Sequence, residues 1–113
     1  MVDSLDMTDA DRRLVVESCR SAAEERIVIT HGTDTMTQTA AKLEGLKDKV
    51  IVFTGSMQPA RFRDSDAVFN LGCAVGALQA LPPGIYIAMN GRLFAWDEVR
   101  KNRELGVFEG RSP

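Results

Sequence analysis

The chain has 113 residues, 44% hydrophobic and 27% charged, a balance that excludes disorder and predicts one domain over residues 1–113 with a core of its own. Its formal charge of −2 excludes long-range attraction for nucleic acid or an anionic membrane, and neither is an expected partner. Local basic groups, Arg61/Arg63 and Arg100-Lys101-Asn102-Arg103, hold enough charge for a small anion only.

In chain order, Thr8-Asp9-Ala10-Asp11 resembles a capping box with Asp in place of Glu. It opens a helix whose predicted inner face is Leu14, Val15, Ser18, Cys19 and Ala22. "RIVIT", residues 26–30, is an apolar run of strand length, predicted to be buried on both sides. A second helix is expected over 35–46, with Met36, Ala40 and Leu43 as its stripe. "KVIVFTG", 49–55, reads as the next buried strand, and 56–65 as an irregular loop broken by Pro59. Val68, Leu71, Val75 and Leu78 define a third helix, closed by Pro82-Pro83-Gly84. "IYIAMN", 85–90, is a third buried strand, and the remainder is a short β segment followed by one helical turn.

This alternation predicts an α/β fold, a parallel sheet with right-handed crossovers and helices on both faces. Ligands of such sheets bind at the carboxyl ends of the strands, which brings His31–Thr35, Thr54–Ser56 and Asn90-Gly91 to one edge. Cys19 and Cys73, 54 positions apart, have no metal-ligand spacing and read as buried reduced thiols. The polar, acidic N-terminus is unlike a secretory leader, and no apolar run reaches the ~20 residues of a membrane span. The expectation is a soluble cytoplasmic protein.

The stretch with most chemistry is "ITHGTDTM", 29–36, where the only histidine is followed by Gly32, Thr33, Asp34 and Thr35. One reading is structural, a tight turn in which Asp34 or Thr33 caps the second helix. The other is functional. A helix N-terminus suits an oxyanion or carboxylate, Asp34 suits a substrate ammonium, and a Thr hydroxyl becomes a nucleophile beside a base.

"ITHGTDTM" resembles the central signature of the bacterial L-asparaginase family, threonine amidohydrolases that deaminate asparagine or glutamine. "DSLDMT" (3–8), "VFTGSMQPARFRDSDAVFNLGCAVGA" (52–77) and "IAMNGRLF…VRK" (87–101) are similar to successive blocks of that family's N-terminal domain, in order. The nearest likeness is to short, single-domain asparaginase-like proteins. The resemblance implies a three-layer Rossmann- or flavodoxin-like domain and hydrolysis of the side-chain amide of an amino acid, without cofactor or metal. It implies catalytic roles for Thr33, Asp34 and Lys101, the lysine serving as base if its site is desolvated. It also implies that Ser4 holds the substrate's α-carboxylate, while Asp34 and Thr33 complete the binding site.

His31 belongs to the motif and is expected to be a hydrogen-bonded structural residue. On spacing alone, Lys101 is a surface lysine and Ser4 a frayed terminal residue. The 113 residues contain no counterpart of the family's "TGGTI" strand-and-turn, which carries its other catalytic threonine. Without that strand "RIVIT" becomes an exposed edge, which favours a homo-oligomer. The alternatives to a hydrolase are a catalytically impaired amino-acid-binding domain and a partner subunit.

Overall fold

A computed structural model describes residues 9–46, 48–55, 63–102 and 107–110. Among the described residues ten elements follow one another: α1 (Asp9–Ser21), β1 (Arg26–Thr30), α2 (Met36–Lys42), β2 (Val50–Thr54), α3 (Arg63–Leu78), β3 (Gly84–Met89), β4 (Arg92–Ala95), a 3-10 turn (Trp96–Glu98), β5 (Val99–Asn102) and β6 (Val107–Gly110). Strands β1 to β4 form one sheet in the order β1-β2-β3-β4, and β5 pairs with β6 separately. The pairs β1–β2 and β2–β3 are parallel, with Val28 opposite Val52 and Val52 opposite Tyr86. β4 returns antiparallel to β3, the expected short β segment.

Alternation along the strands distributes side chains between two layers. Ile51, Phe53, Ile85, Ile87 and Met89 point to one face and pack with Val16 and Cys19 of α1 and Met36, Ala40 and Leu43 of α2. Val50, Val52 and Ala88 point to the other, against Ala74 of α3, with Val28 and Leu78 alongside. A period of two fixes this partition, because a one-residue slip would exchange the layers. The sheet is thus covered on both faces, and the architecture is α/β.

Three expectations are corrected by the fold. β1 is half-exposed where burial on both sides was predicted, because among the described residues β2 is its one neighbour in the sheet. α1 buries Arg12, Val16 and Cys19, while Leu14 is 67% exposed. Its predicted inner face, including Leu14, Val15, Cys19 and Ala22, lines a groove of about 530 Å³ opposite Ile27 and Ile29 of β1.

α3 begins at Arg63, so the predicted loop ends no later than residue 62, and residues 56–62 lie outside those described. Three residues of its predicted stripe face water, with Val68 70%, Leu71 41% and Val75 44% exposed, while the fourth, Leu78, packs beside the sheet. The face on the sheet carries Asn70 and Ala74, whose small volumes let helix and strand approach closely. By contrast, Met36, Ala40 and Leu43 are fully buried, as their spacing predicts. Cys19 is buried, Cys73 partly buried, and both thiols are free.

Basic side chains fasten the amino-terminal ends of the strands. Lys49 Nζ donates to the carbonyls of Ala22 (2.7 Å) and Glu24 (2.8 Å), just beyond the end of α1. Arg26 does the same for Leu78, the last residue of α3, and for Leu81. Cations there satisfy orphan carbonyls and oppose the negative pole of each helix.

Candidate functional site

The parallel strands end together, and each end is pinned by a buried polar contact. The Thr54 hydroxyl donates to the Ala88 carbonyl (2.9 Å), joining β2 to β3. His31 continues the ladder past β1, its backbone N–H donating to the Thr54 carbonyl at 2.9 Å. Its ring then turns inward, 2% exposed, edge-on to Phe53 with centroids 5.8 Å apart.

Both ring nitrogens of His31 are engaged. Nδ1 lies 2.6 Å from the Gly32 carbonyl and Nε2 lies 2.8 Å from Thr39 Oγ1. A carbonyl only accepts, so Nδ1 carries the proton and Nε2 accepts from the Thr39 hydroxyl. Burial lowers the His31 pKa; the Gly32 bond opposes the shift, and the Arg12 charge adds to it. His31 is therefore a neutral strut between β1 and α2, the structural role expected of it.

Gly32, Thr33 and Asp34 wrap around that strut. Thr33 is 8% exposed and Asp34 half-buried, and both make interactions within the fold. The wall behind them is the backbone of Gly55. A Cβ there would meet the His31 carbonyl oxygen closer than the 3.0 Å real Cβ atoms keep, and would press on Met36 Cε (3.3 Å) and Thr33 Cγ2 (3.4 Å). Only glycine lets the turn after β1 approach the end of β2 this closely.

The capping reading of this motif is corrected. The N-cap of α2 is Thr35, not Thr33 or Asp34, and its side chain makes no capping hydrogen bond. Thr35 Oγ1 is instead buried, with no hydrogen-bond partner among the described residues. α2 is also only seven residues long, shorter than the expected 35–46, so its dipole is small.

Thr33 and Asp34 are thus side by side at the carboxyl end of β1. The backbone of Lys101 lies in β5, opposite Phe108 of β6. The chain reaches β5 through Trp96 and Val99, both packed into the cluster that holds Met36 and Ala40 at the start of α2. Ser4 lies outside the described residues.

Sequence reading placed Asn90-Gly91 at this edge but missed Asn70. Asn70, fully buried, donates from Nδ2 to the Gly55 carbonyl (2.7 Å) and accepts at Oδ1 from the Asn90 backbone N–H (3.0 Å). Asn90 and Gly91, at φ 55° and 76°, form the two-residue β3–β4 turn. Positive φ at both positions is the requirement of a type I′ hairpin, for which Asn-Gly is the strongest sequence signal. An asparagine amid the apolar residues of "VFNLGCAV" was the available sign of Asn70.

Among the described residues no cluster of His, Cys, Asp and Glu could hold a metal ion, and no helix is long and apolar enough to cross a membrane. A family model described as "Asparaginase, N-terminal" matches residues 1–108. A glutaminase-asparaginase of Pseudomonas fluorescens biotype A is 37% identical over 106 residues, 89% of this chain and 29% of that protein. One subunit of a glutamyl-tRNA(Gln) amidotransferase, from Haloquadratum walsbyi, is 38% identical over 97 residues, 78% of this chain and 22% of that protein. A protein named probable L-asparaginase periplasmic, from Haemophilus influenzae, is 35% identical over 100 residues, 84% of this chain and 28% of its own length. The chain thus spans less than a third of the length of these relatives. With nearly all of its residues matched by one family model, the chain belongs to the asparaginase family.

Proposed function

We propose that this chain hydrolyses the side-chain amide of L-asparagine, or a related amide, to the acid and ammonia. The observation that carries the reading is the joint placement of Thr33 and Asp34 at a strand's carboxyl end, in a turn held by His31 and Gly55. Thr33 Oγ gives its proton to Lys101, acting as the free amine, and attacks the amide carbon. The C–N bond breaks as the nitrogen takes up a proton and leaves as ammonia. Water then hydrolyses the acyl-threonine ester, releasing the acid and restoring the hydroxyl. Asp34 accepts from the substrate's α-ammonium, and Ser4 holds its α-carboxylate. The same proposal has the protein act in the cytoplasm without metal or cofactor, as a homo-oligomer paired through the edge of β1 that has no neighbour among the described residues.

A second reading is favoured by one finding, the likeness to an amidotransferase component. In it the chain is an amino-acid-binding or partner-subunit domain without turnover. Ammonia release from L-asparagine and L-glutamine by the chain, by Thr33→Ala and by Lys101→Ala separates the two. Turnover abolished by both substitutions supports hydrolysis at this site. No turnover from the unsubstituted chain, with aspartate still raising its melting temperature, supports the second reading.

A further inference from the structure

We infer that Asn70 is a positioning residue for Thr33, acting through the Gly55 backbone; the inference deepens the hydrolase reading above and rests on it only for its kinetic consequence. Asn70 sits in the middle of α3 between Phe69 (57% exposed) and Leu71 (41% exposed), yet is itself fully buried. Asparagine is a mediocre helix former, and a buried carboxamide left without hydrogen bonds is strongly unfavourable. Two of its hydrogen bonds go to the strand ends beside the site, the Gly55 carbonyl at 2.7 Å and the Asn90 N–H at 3.0 Å.

Thr33 Cγ2 and the His31 carbonyl both lie within 3.4 Å of where a Cβ on Gly55 would stand, so they crowd its backbone. The peptide that Asn70 holds is therefore the back wall of the turn containing Thr33. Releasing it lets the Gly55 carbonyl rotate away from the helix and moves that wall. A shift of about 1 Å in a reacting group is enough to cost on the order of 100-fold in rate. Both of these bonds end on main-chain atoms, so the influence of Asn70 on Thr33 travels through backbone packing.

Asn70→Asp tests this, because it keeps the size and the acceptor for Asn90 but turns the donor toward Gly55 into a charged oxygen. Protonation restores an O–H donor. Burial raises a carboxyl's pKa, so the restoring titration lies above the usual value of about 3.9. In ¹H–¹⁵N spectra the amides of Gly32, Thr33 and Asp34 should shift in the variant and move back toward wild-type positions along that titration. In ammonia-release assays kcat should fall about 10- to 100-fold while KM changes less than about threefold.

Shifts confined to Gly55, Asn90 and Gly91, with Gly32–Asp34 unmoved, overturn the inference. So does a kcat unchanged in the variant. Should the aspartate variant not fold, Asn70→Ser gives the same reading with a short donor. Loss of fold in both overturns the proposal, since Asn70 would then hold the domain and not the turn. A wild-type chain without turnover refutes the hydrolase reading alone, and the amide shifts still decide the role of Asn70.

Discussion

Two glycines of this chain should respond to alanine with opposite signs. At Gly55 the added methyl runs into the His31 carbonyl, a backbone atom, with Met36 and Thr33 closing the other sides. The overlap is roughly half an ångström or more, and the strand end cannot yield without shifting the His31–Thr54 ladder bond. Overpacking of a closed site costs about 1–3 kcal/mol, and a backbone obstacle places Gly55→Ala at the upper end, near 3. At Gly72, within α3, a Cβ meets nothing within 4 Å. There alanine removes the entropy penalty of glycine in a helix, and stability should rise by about 0.5–1 kcal/mol. Urea unfolding at pH 7, followed by circular dichroism, measures both, and thermal midpoints should move by about 4–8 °C per kcal/mol for a domain near this size. A Gly55→Ala loss below about 0.5 kcal/mol, or a Gly72→Ala variant less stable than Gly55→Ala, would refute the close-approach argument.

The remaining predictions concern the buried histidine, the thiols and the exposed helix face. His31 has a pKa below its usual 6.5, so the unfolded chain binds the extra proton first as pH falls. Its contribution is complete above about pH 6.5 and is lost as pH falls from there toward the folded pKa, with a limiting slope of about 1.4 kcal/mol per pH unit. Urea unfolding at pH 5 and 7 should show this loss in the wild type and a smaller one in His31→Gln; equal losses would sink the assignment. Burial raises the Cys19 pKa, only partly offset by Lys49, so a thiol reagent should label Cys73 first in the native protein, as peptide mass mapping would show. Faster labelling of Cys19 would contradict its place in the core. Leu71→Gln and Val75→Thr should change stability by no more than about 0.5 kcal/mol, because both side chains face water. Losses of about 2 kcal/mol or more, of order those for buried residues, would mean that α3 packs through the face its sequence suggests.

How much was legible in the sequence differs from element to element. β2 and β3 were readable because a strand buried on both faces has to be an unbroken apolar run, as "VIVFT" is. "RIVIT" has the same composition, but its burial depends on how many strands flank it, which no local pattern encodes. On α3 the apolar stripe misled because close packing on a sheet needs small residues. Ala74 and Asn70 took the inner face, and larger Val68, Leu71 and Val75 were left outside. At the site, Thr33 and Asp34 are neighbours in the chain and could be read together. Gly55, Asn70 and Asn90 meet one another only after three strands and a helix have been assembled, and such contacts leave a weak trace in any single window.

The outward stripe of α3 also has a consequence for handling the protein. Val68, Leu71 and Val75 lie at helical spacing, with Gly72 and Gly76 exposed among them, so the strip is both apolar and smooth. Salts excluded from protein surfaces, such as sulfate, strengthen the sticking of such strips while also favouring the folded state. The limit met on concentrating the chain in ammonium sulfate should therefore be reversible precipitation of folded molecules, set by solubility while the fold itself grows more secure.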